Sequence, residues 1–283
     1  MKAFTHTLII SLLLANLAIS CTKLSAAQDA KSKNGDTYLL KSDATDESTR
    51  KNLPDLHGID IPSPLKDKPE QILSRKGYVV SYNKDTKLPN WVAWRLTAAH
   101  ISGEARRPGN AWHEDTDVPL PRATYSDYKG SGWSRGHMCP AGDNKWDSDA
   151  MYETFLYTNC CPQNANLNSG TWNQIEISCR RWAEKYGEVD IICGPLFFRQ
   201  FQQTIGDNKV VVPNAFFKVI VCLSGDSPKG IGFICRNTDG NTKKDLYVNS
   251  IHEVERITGI TFFPNLPKNL EETVKNKADI NDW

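Results

Sequence analysis

The sequence predicts an α+β domain, with a mixed, largely antiparallel sheet and packed helices. Three observations carry that expectation: several short apolar runs of strand length, one long amphipathic helix, and a second, short helix near the C-terminal end. In order, Gly77-Tyr78-Val79-Val80-Ser81-Tyr82 and Trp91-Val92-Ala93-Trp94-Arg95-Leu96 read as strands, with Lys84-Asp85-Thr86-Lys87 turning between them. Residues 103–134 are rich in Gly, Pro, Asp and Ser and read as a long surface loop. Trp172, Ile175, Cys179, Trp182 and Tyr186 then recur at three- and four-residue steps, and Gly187 follows as a helix stop. Apolar runs at 189–193, 216–221 and 232–235 read as buried strands. The last helix is expected over Ile251–Thr258, with Ser250 and Glu253 as a capping box and Gly259 as the C-cap. No internal repeat is visible.

The chain has 283 residues and a formal net charge of +1, so it is not built to coat nucleic acid by bulk electrostatics, although a local basic cleft is compatible with that balance. Lys2, the apolar run Leu8–Ile19 and the small residues after it have the layout of a signal peptide, too short to span a bilayer comfortably. Leu17-Ala18-Ile19-Ser20-Cys21 resembles a lipoprotein signal in which Cys21 becomes the lipid-bearing first residue; ordinary cleavage near Ala26-Ala27 is the alternative. The expected organisation is therefore a signal peptide at 1–21, a polar tether or arm at 22–70 and a catalytic domain at 71–283. Either form of processing exports the mature chain, as an outer-membrane or cell-surface lipoprotein or a periplasmic or secreted protein. Eight cysteines suit an oxidising compartment. Seven remain if Cys21 carries lipid, which leaves at least one thiol free or paired between chains. Cys222 and Cys235, in consecutive strand-like runs, could meet across a hairpin. No C-x-x-C spacing occurs, which argues against a zinc ribbon or a thioredoxin-like site.

Two segments carry candidate chemistry. In Trp133-Ser134-Arg135-Gly136-His137-Met138-Cys139-Pro140-Ala141 the backbone is shaped by Gly136 and Pro140. Arg135 and His137 stand two apart, so in an extended segment both project to one side. A base beside a cation is what phosphodiester hydrolysis needs, although such a pair is also an ordinary structural one. The second segment, 157–176, holds Asn159, Asn164, Asn166, Asn168 and Asn173, and ends on Glu176. Asparagine oxygen suits a mostly hydrated Mg²⁺, while helix caps and turns are the residue's everyday use. In a helix begun near Asn166, Asn168, Trp172 and Glu176 share one face at four-residue steps. Asn168 and Glu176 then lie ~12 Å apart along the axis, so Glu176 is expected to orient water or Arg135 and not to ligate the same ion.

These residues resemble the non-specific DNA/RNA endonucleases of the endonuclease G type, with a ββα-metal site. That family carries Asp-Arg-Gly-His, then Asn-x-Gly-x-Trp, then a glutamate. Here Ser134-Arg135-Gly136-His137 matches three of the four positions, Asn168-Ser169-Gly170-Thr171-Trp172 matches fully, and Glu176 follows. Asn159-Cys160-Cys161-Pro162-Gln163, Gly194-Pro195-Leu196-Phe197, 212–218 and 258–264 resemble further family segments, over about residues 75–267. The resemblance implies His137 as general base, Asn168 as the sole protein ligand of Mg²⁺ (or Mn²⁺), Arg135 on the phosphate, Glu176 supporting the hydrated metal, DNA and RNA as substrates, and 5′-phosphate products. Arg106 and Arg107 are the candidates for a further phosphate-binding arginine. Ser134 departs from the family's aspartate, and an alternative reading is a nucleic-acid-binding protein of this fold that no longer cuts. A protein whose cysteines bind metal is a third reading, disfavoured by their irregular spacing.

Overall fold

Strand alternation divides the middle of the protein into two apolar layers. Along Ala215–Cys222 all eight residues are buried; Phe216, Ile220 and Cys222 face one layer, and Ala215, Phe217, Val219 and Val221 the other. A strand covered on both sides needs no polar face, which is why this run is almost continuously apolar in the sequence. The computed structural model describes residues 38–39, 60–198, 200–224, 227–239 and 242–283. Its strands are β1 (Tyr38–Leu39), β2 (Gln71–Ser74), β3 (Val79–Asn83), β4 (Leu88–Thr97), β5 (Ser134–His137), β6 (Cys160–Gln163) and β7 (Glu188–Leu196). They continue with β8 (Phe201–Gln202), β9 (Thr204–Ile205), β10 (Val210–Val211), β11 (Ala215–Cys222), β12 (Lys229–Arg236) and β13 (Val248–Asn249). The helices are α1 (Ala98–Ile101), α2 (Tyr125–Tyr128), α3 (Ser148–Glu153), α4 (Ala165–Leu167), α5 (Asn173–Tyr186), α6 (Ile251–Thr258) and α7 (Lys268–Asn276).

Seven strands form one sheet in the order β13–β12–β11–β7–β4–β3–β2, and every pairing is antiparallel. This is the α+β architecture expected from the sequence. Helix α5 covers one face, burying Ile175, Cys179 and Trp182 against Trp94, Ile191 and Phe216. The other face packs under α6 and α7, with Ile251, Val254, Val274 and Phe262 against Trp91, Phe217 and Val219. The ends of the helices follow the sequence signals: Gly187 closes α5 at φ +92°, Ser250 accepts the Glu253 N–H at 3.1 Å to begin α6, and Gly259 ends it in the left-handed region. No helix among the described residues is long and apolar enough to cross a membrane.

Four expectations change. Packing begins before residue 71: Ile61 and Leu65 are buried in the second layer, and the Pro69 carbonyl accepts from Asn90 at 2.8 Å. Helix α7 lies beyond the expected last helix; in Lys-Asn-Leu-Glu-Glu-Thr-Val-Lys-Asn only Leu270 and Val274 are apolar, so its stripe is too thin to stand out. The 103–134 segment is pinned as well as exposed, since Ala111, Val118, Ala123 and Tyr128 are buried and Asp115 binds both Arg75 and Thr158 at 2.6 Å. Cys222 and Cys235 do not meet, because the β11–β12 register pairs Cys222 with Lys229 and Cys235 with Phe216. Cys139, Cys160, Cys161, Cys179, Cys193, Cys222 and Cys235 are all free and buried. The signal segment, Cys21 and His57 lie outside the described residues.

Gly230 shows how closely α7 sits on the sheet, since a Cβ there would overlap the Val274 carbonyl oxygen and crowd Ile251. Gly230→Ala should therefore cost about 1–3 kcal/mol in chemical denaturation, through displacement of α7.

Candidate active site

Strands β5 and β6 form a separate antiparallel pair in which Ser134 faces Gln163, Arg135 Pro162, Gly136 Cys161 and His137 Cys160. Gly136 is required by packing: a Cβ there would run into the Gln163 side chain, which is fully buried with neither amide atom hydrogen-bonded. Arg135 and His137 alternate to the opposite side of β5. Both meet one aromatic floor. The Trp112 ring lies 4.5 Å from the His137 ring, and the Arg135 Cζ is 5.7 Å above Trp112 and 5.4 Å above Tyr125. Phe155 meets His137 edge-on at 4.9 Å and carries the Arg107 guanidinium 4.8 Å above its own ring. Two guanidinium groups therefore flank one imidazole over three rings.

This floor also sets the protonation of the imidazole. Burial, with the Arg107 charge adding to it, pulls the His137 pKa down to about 3. The ring is therefore neutral at physiological pH and keeps a lone pair free to accept a proton. Its Nε2 is enclosed without a hydrogen-bond partner, which leaves Nδ1 as the nitrogen toward the surface.

Chain direction carries β6 straight into a helix. Asn164 caps α4 by accepting the Asn166 and Leu167 N–H groups, and Asn168 donates its own N–H to the Asn164 carbonyl at 2.9 Å. The helix does not continue regularly. Asn168–Trp172 forms a π turn with Gly170 at φ −102°, ψ −106°, and α5 proper begins at Asn173. The four-residue step thus holds from Trp172 to Glu176, but the step from Asn168 to Trp172 crosses this wider turn. β5, β6 and the broken helix together make a ββα unit. Of the segment's asparagines, Asn159 is tied to Cys139 and Thr154, while Asn164 and Asn166 reach Asp239. Among the described residues the half-buried Asn168 carboxamide has no hydrogen-bond partner, so its oxygen is available.

Glu176 is half-buried as a residue, but its carboxylate is enclosed. Burial pushes its pKa up to about 7, against Lys218 and Arg180, while Asp143 pushes the same way as burial. Asp143 itself accepts from Arg180 at 2.8 Å and from the Trp94 indole at 3.1 Å. The available oxygen of Asn168 suits a hard cation that keeps most of its waters. Among the described residues no three His, Cys, Asp or Glu side chains converge as metal ligands, so the arrangement fits a hydrated Mg²⁺ and not a site with a dense protein ligand set.

Residues 61–269 match the family described as DNA/RNA non-specific endonuclease. The chain belongs to that family. It is 38% identical over 206 residues to the mitochondrial nuclease EXOG of Danio rerio, across 68% of this chain and 60% of that protein. It is 37% identical to nuclease C1 of Cunninghamella echinulata, across 69% and 83%, and 33% identical to a nuclease of Nostoc, across 77% and 82%. The chain thus spans somewhat over half the length of the EXOG relatives it matches. In fold it is similar to endonuclease G solved in complex with EndoGI, with a TM-score of 0.68 and 28% identity over 74% of this chain and 92% of that one.

Within this member of the DNA/RNA non-specific endonuclease family, the residues singled out by sequence separate into two groups. Arg107, and not Arg106, has its charge on the His137 floor. Arg135 and His137 share Trp112, whereas Glu176 belongs to a buried charge cluster with Asp143, Arg180 and Lys218. His100 and His113 are engaged by backbone carbonyls, Arg95 O at 3.0 Å and Ala111 O at 2.7 Å, and stack on Trp146 and Tyr152. His252 is exposed beside Glu255. Sequence reasoning passed over Trp112, Phe155, Asp143, Arg180 and Lys218. Two of these had a signal: Arg180 extends the Trp172–Glu176 spacing by another four residues, and Lys218 is a lone cation inside an apolar run.

The depressed His137 pKa has a stability consequence with a definite sign. The unfolded imidazole takes a proton near 6.5, and the folded one only near 3. Stability is thus lost as pH falls through that window. Glu176 acts in the opposite sense, since its raised folded pKa favours the native state at low pH and that contribution fades as pH rises toward about 7. His137→Asn removes only the first effect, so urea midpoints measured from pH 7 to 4 should fall less steeply for the variant than for the parent protein.

Proposed function

We propose that this protein is a metal-dependent endonuclease that hydrolyses phosphodiester bonds in DNA and RNA with little sequence preference. The observation that carries the reading is a neutral imidazole, His137, set between the Arg135 and Arg107 guanidinium groups in a ββα unit. In this reading Arg135 and Arg107 grip the scissile phosphate and neutralise the charge that builds on it. His137 takes a proton onto Nδ1 from the attacking water. Asn168 supplies the oxygen that holds Mg²⁺, with Mn²⁺ as a substitute, and Glu176 orients the surrounding water as a carboxylate. The bound ion, when present, neutralises the leaving 3′ oxygen, so that the phosphate stays on the 5′ end of the product. Contacts of this kind address the backbone and not base edges, which accounts for weak sequence choice.

The N-terminal segment adds a localisation to the reading. Residues 1–21 act as an export signal, and lipid on Cys21 anchors the mature chain to a membrane. Labelled palmitate should enter the wild-type chain and not Cys21→Ala; equal labelling of both would remove the anchor.

Supercoiled plasmid with Mg²⁺ tests the chemistry. His137→Ala should lower kcat by about 10²–10⁴-fold. Asn168→Ala should need more Mg²⁺ for the same rate, chelator should stop cleavage, and Arg107→Ala should raise KM while Arg106→Ala stays near wild type. Cleavage that survives His137→Ala unchanged would defeat the mechanism, and tight binding of plasmid without any cleavage by the wild type would favour the non-cutting alternative.

A further inference from the structure

Lys218 is the most costly residue in the protein to bury. It is 0% exposed, and its Nζ has no hydrogen-bond partner. It projects from the middle of β11 on the face of Phe216 and Ile220, where an aliphatic side chain would pack without penalty. Its ammonium lies 4.4 Å from the centre of the Trp172 ring and 5.2 Å from that of Trp94. Two indole faces ease the burial of a cation but do not replace its lost water. Burial pulls the Lys218 pKa down, yet Cys193, Glu176, Cys179 and Asp143 together hold it above its ordinary value.

The neighbouring charges divide into two pairs. Arg180 of α5 is committed to Asp143, in the short turn Ala141–Asp143, at 2.8 Å. That leaves Glu176 on α5 and Lys218 on β11. Every charged group acting on Glu176 is then accounted for: Lys218 from the sheet, Asp143 from the turn, and Arg180 one helical turn along α5, with the Trp172 indole beside them. Lys218 is the largest influence opposing burial. Trp172 joins the two partners, since its ring carries the ammonium and it precedes Glu176 by one turn of helix.

We propose that Lys218 is a positioning residue whose buried ammonium is the fixed counter-charge that keeps Glu176 a carboxylate at neutral pH. The consequence for cleavage rests on the function proposed above, whereas the charge pairing does not.

The metal-free protein gives the first readout. Infrared difference spectra assign the Glu176 carboxyl by comparison with Glu176→Gln, and its titration is followed in wild type and in Lys218→Met, which keeps an unbranched side chain. The midpoint should rise by about one unit or more in Lys218→Met, a tenfold change in proton affinity. In the Mg²⁺-loaded enzyme the acid limb of kcat should move up with it, so that the loss seen at neutral pH shrinks as pH is raised. A purely structural lysine would lower activity equally at every pH. A midpoint that does not move overturns the proposal. Should Lys218→Met fail to fold, Lys218→Met/Glu176→Gln decides: partners of opposite charge require the double variant to recover stability, and a double variant no more stable than the single one overturns the pairing. A shifted midpoint in a protein that never cuts plasmid would leave the pairing standing and remove the nuclease reading alone.

Discussion

The antiparallel pairing of Ser134–His137 with Cys160–Gln163 is the constraint on which the site depends. It fixes the face from which Arg135 and His137 project, and it delivers the chain into the helix that carries Asn168. Gly136 lets the two strands close over the buried Gln163 side chain. Trp112 and Phe155 come from distant segments and complete the floor, and their main physical effect is to exclude water. That exclusion keeps the imidazole unprotonated without any hydrogen bond to it from a carboxylate. Positive charge is added where the floor meets solvent, through Arg107 and Arg135, which lean on rings and so keep their donors free.

Much of this was legible in local sequence pattern. The buried strands around Val92, Ile192 and Val219 and the stripe of α5 follow from apolar periodicity, and Gly187 and Gly259 mark their helix ends by backbone conformation. Arg135 and His137 could be paired because extended backbone places residues two apart on one side. Elements whose signal is non-local were not legible. Trp112 sits in a segment rich in turn residues, and nothing nearby says that it will lie beneath His137. The π turn at Gly170 breaks a helical count that the sequence alone makes look regular. Cysteine spacing was misleading for a related reason: which thiols face one another depends on strand register, and the register sets Cys235 beside Phe216.

The burial of titratable groups follows a division of labour. His137 is dried until it loses its proton, while Glu176 is dried nearly to the point of keeping one and is countered by cations. One imidazole and one carboxylate in the same domain thus reach opposite protonation tendencies from the same physical cause, because desolvation always disfavours whichever form is charged.

The alternation along β11 has an evolutionary consequence. Odd-numbered positions serve the layer under α6 and α7, and even-numbered ones serve the layer under α5, where Lys218 stands between Trp94 and Trp172. Inserting or deleting one codon within that strand would exchange the two sets, thrusting an ammonium among Phe262 and its neighbours and phenylalanine into the charged layer. Length variation among descendants of this gene should accordingly be confined to the connections, while the central strand tolerates substitution and forbids frame-preserving slips.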